Sequence, residues 1–215
     1  MGKIDKLFGC PAFKEKISAR HSAVIVVDIQ NIFCSGDQKP LTSQVVLPIE
    51  KFLAKARDFK VPLIFIKQDI SAFKKSPAAR EILVRNGKAS ILKDDSKNKW
   101  AGELCIKPQP NDKIVTKATY SGFFKTSLSK NLNKSGIKTI IATGVATNVC
   151  VETTVRDAFM HGFYCIVLRD LVASYDERLH ESALENINTN FGEVCHSTEV
   201  LAEWEKERRK KPLKK

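Results

Sequence analysis

Short apolar runs alternate with amphipathic stretches along most of this chain. Residues 22–28 are apolar up to Asp28 and read as a central strand, buried on both faces. Val46, Ile49, Leu53 and Ala56 then recur at helical spacing within 43–59, and 61–67 is a second apolar run. A third strand, 113–117, follows the Pro108–Pro110 breaker. After it come a short helix at 126–134, a strand at 138–143, a helix carrying Cys150, and a strand at 164–168. A helix at 176–190, a short strand at 193–196 and a closing helix at 199–208 complete the series. Strand and helix in regular alternation predict an α/β fold, with a mainly parallel sheet and helices on both faces.

Two segments stand outside this rhythm. Residues 1–20 read as an N-terminal arm, with Leu7, Phe8, Phe13 and Ile17 available to pack on the sheet. Residues 71–103 form a long polar insertion with a helical piece near 78–85; insertions of this length often serve as a lid or a subunit contact. With no repeats and no second core, 1–215 is expected to be one domain ending in a basic tail, 206–215.

Composition narrows the class. The chain has 215 residues, 43% hydrophobic and 28% charged, which suits an ordinary globular protein rather than a disordered or membrane-spanning one. Lys3, Asp5, Lys6, Lys14, Glu15 and Lys16 interrupt the first twenty residues, so these do not read as a secretory signal. The six cysteines (Cys10, Cys34, Cys105, Cys150, Cys165, Cys195) show neither a CxxC pair nor finger spacing. Reduced thiols and a cytoplasmic location are therefore expected. The net charge is +12, of which +5 falls within 204–215. A solvated, frayed tail accounts for that share, and nucleic-acid binding is not expected.

The chemistry gathers at strand ends. In an open parallel sheet, ligands bind outside the carboxyl ends of the strands, and Asp28, Lys117 and Cys150 fall at three of them. Gly144 permits a tight turn after the strand at 138–143, and Thr147 is the expected N-cap of the helix that follows. Cys150 then lies in the first helical turn, where free N–H groups and the helix dipole favour a thiolate and can hold an oxyanion. Each residue alone also has an ordinary reading: Asp28 as a turn cap, Lys117 as a surface cation, Cys150 as core packing. An acid, a base and a thiol at neighbouring strand ends point together to a cysteine hydrolase.

Three motifs in order resemble the isochorismatase-like cysteine hydrolases. They are Val26-Val27-Asp28-Ile29-Gln30-Asn31-Ile32-Phe33, Thr116-Lys117-Ala118-Thr119-Tyr120-Ser121-Gly122-Phe123, and Gly144-Val145-Ala146-Thr147-Asn148-Val149-Cys150-Val151-Glu152. The resemblance implies a doubly wound sheet of about six parallel strands, with a cis peptide between Val145 and Ala146. It implies Asp28, Lys117 and Cys150 as a catalytic triad, with the N–H groups of Ala146 and Cys150 as oxyanion hole. A covalent thioester or thiocarbamate, no cofactor, and a dimer or tetramer also follow from it.

Within that family, nicotinamidases carry a metal site in which an Asp lies close to His residues after the second strand. Here that stretch offers Asp69 without histidine. His21, His161, His180 and His196 lie elsewhere and read as surface or helix residues, so no metal is expected and nicotinamidase fits poorly. The motifs look most like the ureidoacrylate, biuret and N-carbamoylsarcosine amidohydrolases, which act on small linear amides or ureido acids. Gln30, Asn31, Phe33 and Tyr120 would line the pocket, although Phe33 equally suits the core. Cys34, without a helix N-terminus of its own, is a weaker nucleophile. The alternatives are hydrolysis of another small acid, a nicotinamidase-like amidase, or a binding protein that retains the site.

Overall fold

A computed structural model describes residues 9–35, 40–89 and 98–210. Leu7, Phe8, part of the 71–103 insertion and the end of the basic tail lie outside the described residues. The sheet comprises β1 (Ser22–Val27), β2 (Leu63–Gln68), β3 (Lys113–Lys117), β4 (Thr139–Val145), β5 (Tyr164–Ala173) and β6 (Glu193–Cys195). Their order is β3-β2-β1-β4-β5-β6, and every neighbouring pair is parallel. The winding therefore reverses between β1 and β4, which makes a crevice at their carboxyl ends.

All six residues of β1 are buried, which explains its unbroken apolar run. Val24 and Val26 pack on one face with Ile49, Phe52 and Leu53 of α1 (Val46–Asp58), and Ala23, Ile25 and Val27 pack on the other. On that second face lie Leu128 and Leu132 of α3 (Leu128–Lys134), Val155 of α4 (Glu152–Met160), and Leu184 and Ile187 of α5 (Glu177–Asn190). Between α1 and α3, the described part of the insertion contributes α2 (Pro77–Arg85). Ser76 caps it by accepting from the Ala79 N–H, and Pro77 stands in its first turn, where no N–H is needed.

Two expectations change. β5 runs on to Ala173 instead of ending near 168: Arg169 and Asp170 interrupt the apolar pattern, but Leu171, Val172 and Ala173 return to the core. The basic tail is also less free than its charge suggests. α6 (Ser197–Lys210) buries Trp204, which stacks on Phe52 at 5.9 Å and donates to the Ile17 carbonyl at 2.7 Å. Glu207 accepts from the Ser18 hydroxyl and the Ala19 N–H. The described part of the N-terminal arm is thus docked on the closing helix, with Ile17 fully buried. No helix among the described residues is long and apolar enough to cross a membrane.

Candidate active site

Asp28 follows β1, Lys117 ends β3, and Cys150 lies in a π-helical turn, Thr147–Val151, just beyond β4. The structure brings all three together. Lys117 Nζ is 2.8 Å from Asp28 Oδ2 and donates to Cys150 Sγ at 3.4 Å. Because β2 separates β3 from β1, the lysine must reach past the end of that strand. Gln68 stands there and accepts from Nζ at 2.9 Å, while the Thr119 carbonyl accepts at 3.0 Å. Lys117 is buried along its length. Gln68 escapes the sequence reading, although a polar residue closing an apolar run is the same signal that marks Asp28.

Asp28 adopts φ +49, the left-handed region that Asp tolerates better than most residues. Burial pushes its carboxyl above the usual carboxylate range, while the Lys117 charge and hydrogen bonds from Lys117 and Cys150 pull it back. Burial also pushes the Cys150 thiol well above its ordinary range, and the neighbouring Asp28 charge adds to the effect against the pull of Lys117. The turn does offer a helix N-terminus, but a buried sulfur beside a carboxylate keeps its proton. Asp28, the nearest base, is placed to take that proton, with the charge of Lys117 beside both groups.

The turn itself differs from the sequence expectation by one residue. Ala146, not Thr147, is the N-cap, and it has no side chain with which to cap. Thr147 Oγ1 instead pairs with His180 Nδ1 of α5 at 2.8 Å, and Ser174 Oγ bonds Asn148 Oδ1. Cys150 is consequently the fourth residue of the turn. The Val145–Ala146 peptide is cis, as the resemblance implies. Among the described residues, the Ala146 N–H has no backbone acceptor, and the Val149 and Val151 N–H groups both donate to the Ala146 carbonyl. Gly144 seats the turn against β1: at φ +112, a Cβ there would lie 2.0 Å from the Val27 carbonyl oxygen.

The expected pocket residues divide. Tyr120 packs against the core cluster that contains Cys150, and burial pushes its hydroxyl up. Its ring packs on Phe73 at 5.5 Å. Phe33 is half-buried against the core, and its carbonyl accepts from the Tyr175 hydroxyl at 3.3 Å. Asn31 donates to the Trp100 carbonyl at 2.9 Å. Gln30 departs from expectation. Its Nε2 donates to the Gln68 and Gly102 carbonyls, both at 3.1 Å, and its Oε1 accepts from the Gln68 N–H at 2.7 Å. With the side chain fully buried, both N–H donors and the carbonyl oxygen of its amide tie backbone segments together.

Tyr175 was not visible as a site residue in the sequence. It is 45% exposed, and Lys88 Nζ sits 5.7 Å from its ring centroid. Cys34 is buried in the core cluster. Asp69 caps a single helical turn by accepting from the Ala72 N–H at 2.9 Å. Among the described residues, the one group of acids and histidine close enough to share an ion is Glu177, His180 and Glu181 on α5. Its His180 Nδ1 is already paired with Thr147.

Fold and site together define a cysteine hydrolase built on a parallel α/β sheet. The chain belongs to the isochorismatase family, whose Isochorismatase domain matches residues 22–199. It is 35% identical over 209 residues to ureidoacrylate amidohydrolase RutB of Enterobacter sp. (strain 638), covering 86% of this chain and 90% of that protein. It is 35% identical over 180 residues to nicotinamidase 3 of Arabidopsis thaliana, covering 83% and 86%. The crystal structure of a cysteine hydrolase from Pseudomonas syringae pv. phaseolicola 1448A superposes with a TM-score of 0.76 at 31% identity, covering 89% of this chain and 95% of that one.

Proposed function

We propose that this protein is a cysteine-dependent amidohydrolase that cleaves a C–N bond of a small linear amide or ureido acid. The observation that carries this reading is the single ammonium of Lys117 in contact with both Asp28 and Cys150. Asp28 takes the thiol proton as sulfur attacks the carbonyl, and Lys117 holds both groups in line. The developing oxyanion is met by the N–H groups of Ala146 and Cys150. Protonated Asp28 then gives its proton to the departing nitrogen, leaving a thioester or thiocarbamate on Cys150. Asp28 accepts a proton from water, the hydroxide equivalent displaces sulfur, and the proton returns to the thiolate.

The basic character of the insertion favours a substrate that carries a carboxylate. The described part of the insertion holds Lys74, Lys75, Arg80, Arg85, Lys88 and Lys99 against Glu81 and Glu103, and Lys88 lies over Tyr175. The test is ammonia or amine release from N-carbamoyl amino acids, ureidoacrylate, biuret and nicotinamide, with Cys150→Ser as control. Turnover of ureido acids that is lost in Cys150→Ser supports the reading. Turnover confined to nicotinamide favours the second reading, for which the Arabidopsis relative is the ground. Full activity in Cys150→Ser excludes covalent catalysis by this residue.

The same reading includes one domain that assembles as a dimer or tetramer. Phe159 and Met160 at the end of α4 are exposed and apolar, and sedimentation of the purified chain tests the assembly. Six cysteines, none of them in a disulfide, suit a reducing, cytoplasmic setting.

A further inference from the structure

The turn that carries Cys150 begins without a cap. Ala146 has no hydroxyl or carboxylate to offer, and the residue after it, Thr147, has one. A threonine so placed bonds readily to N–H groups two or three positions ahead, here those of Val149 and Cys150. The Val149 N–H already donates to the Ala146 carbonyl, as does that of Val151, while the Cys150 N–H between them does not. A Thr147 hydroxyl that turned inward would therefore find the Cys150 N–H, the donor that an oxyanion on the attacked carbonyl needs. It is turned the other way. Thr147 is fully buried, and its Oγ1 pairs with His180 Nδ1 at 2.8 Å. His180 comes from α5, is itself buried, and has no part in the proton transfers of Asp28, Lys117 and Cys150.

We propose that His180 is a positioning residue: it draws the Thr147 hydroxyl away from the nucleophile turn and so keeps the Cys150 N–H open for the oxyanion. The Ser174–Asn148 contact fixes the next residue of the turn from the end of β5, so two neighbouring side chains are tied outward. The role holds whichever partner of the Thr147–His180 pair carries the proton. It rests on the amidohydrolase reading above, because only an acyl transfer develops the oxyanion.

Alkylation separates the two ideas, since attack of Cys150 on iodoacetamide forms no oxyanion. His180→Ala is expected to lower kcat for amide turnover on the order of 10²-fold, with KM and the rate of Cys150 alkylation unchanged. His180→Phe, which fills the ring volume without its nitrogens, is expected to behave alike and serves if the alanine variant fails to fold. His180→Asn, which returns a polar atom near the place of Nδ1, is expected to regain most of the rate. Thr147→Val added to His180→Ala removes the hydroxyl that would turn inward and is expected to raise kcat above that of His180→Ala. Unchanged kcat in both His180→Ala and His180→Phe overturns the proposal. So does a fall in alkylation equal to the fall in kcat, or a double variant no faster than His180→Ala. Failure of the amidohydrolase reading looks different, for the unmodified protein would then release nothing from any amide.

Discussion

The ammonium of Lys117 stands 2.8 Å from Oδ2 of Asp28, with side-chain exposures of 0% and 1%. Two opposite charges out of water are held by each other, and removal of one strands its partner. Lys117→Met is expected to destabilise the fold by about 3–5 kcal/mol in urea titrations at neutral pH. Without the lysine, burial alone acts on Asp28 and raises its pKa further in the folded state. The loss therefore shrinks as pH falls and the carboxyl becomes neutral. Adding Asp28→Asn to Lys117→Met is expected to return most of the stability and none of the activity.

The thiol proton sets the pH range of turnover. Asp28 must be a carboxylate to take the thiol proton, and its pKa is raised by burial. Activity is expected to fall on acidification through a pH above the ordinary Asp value of 3.8. The thiol is raised as well, so its proton persists, and the alkaline limb is expected above the ordinary thiol value of 9.0. The profile of kcat/KM against pH measures both limbs. An alkaline limb near neutrality would show instead a thiolate stable at rest.

Gln30 clamps backbone at both ends of its amide. Gln30→Leu leaves the buried Gln68 N–H without its acceptor, a loss of about 1–3 kcal/mol. The expected result is a lower melting temperature with KM little changed. A rise in KM at unchanged stability would assign the amide to substrate after all.

Gly144 touches the backbone of β1, where nothing can yield. In Gly144→Ala the new methyl would sit 2.0 Å from the Val27 carbonyl oxygen. The left-handed backbone adds about 1–2 kcal/mol on its own. The variant is expected to be insoluble, or to melt far below the parent in a thermal scan.

The strands were legible because interior parallel strands must be apolar on both faces, and β1, β2 and β4 show that directly. Asp28, Lys117 and Cys150 were legible because a reactive group closing an apolar run falls at the carboxyl edge of the sheet. Less visible were residues whose role depends on a partner distant in sequence. His180 reads as one more polar position on an amphipathic helix, and only the packing of α5 brings it to Thr147. Tyr175 follows the unexpected extension of β5, which the charged pair Arg169-Asp170 concealed. Gln30, two positions after Asp28, suggested substrate, but an amide serves backbone equally well, and its partners lie 38 and 72 positions away. Trp204 lies among charges that suggested a frayed end, yet it is 1% exposed.

β3 is one of the two margins of the sheet, joined to β2 alone, and it supplies Lys117. Strand margins open more readily than sheet interiors and at lower free energy than the whole fold. Each opening at this margin would withdraw the cation from Asp28 and Cys150 while the remainder of the sheet stays folded. Hydrogen exchange at 113–117 should then track inactivation on mild heating, ahead of exchange in β1 and β4. The durability of this catalyst would thus be set by an edge strand and not by its core.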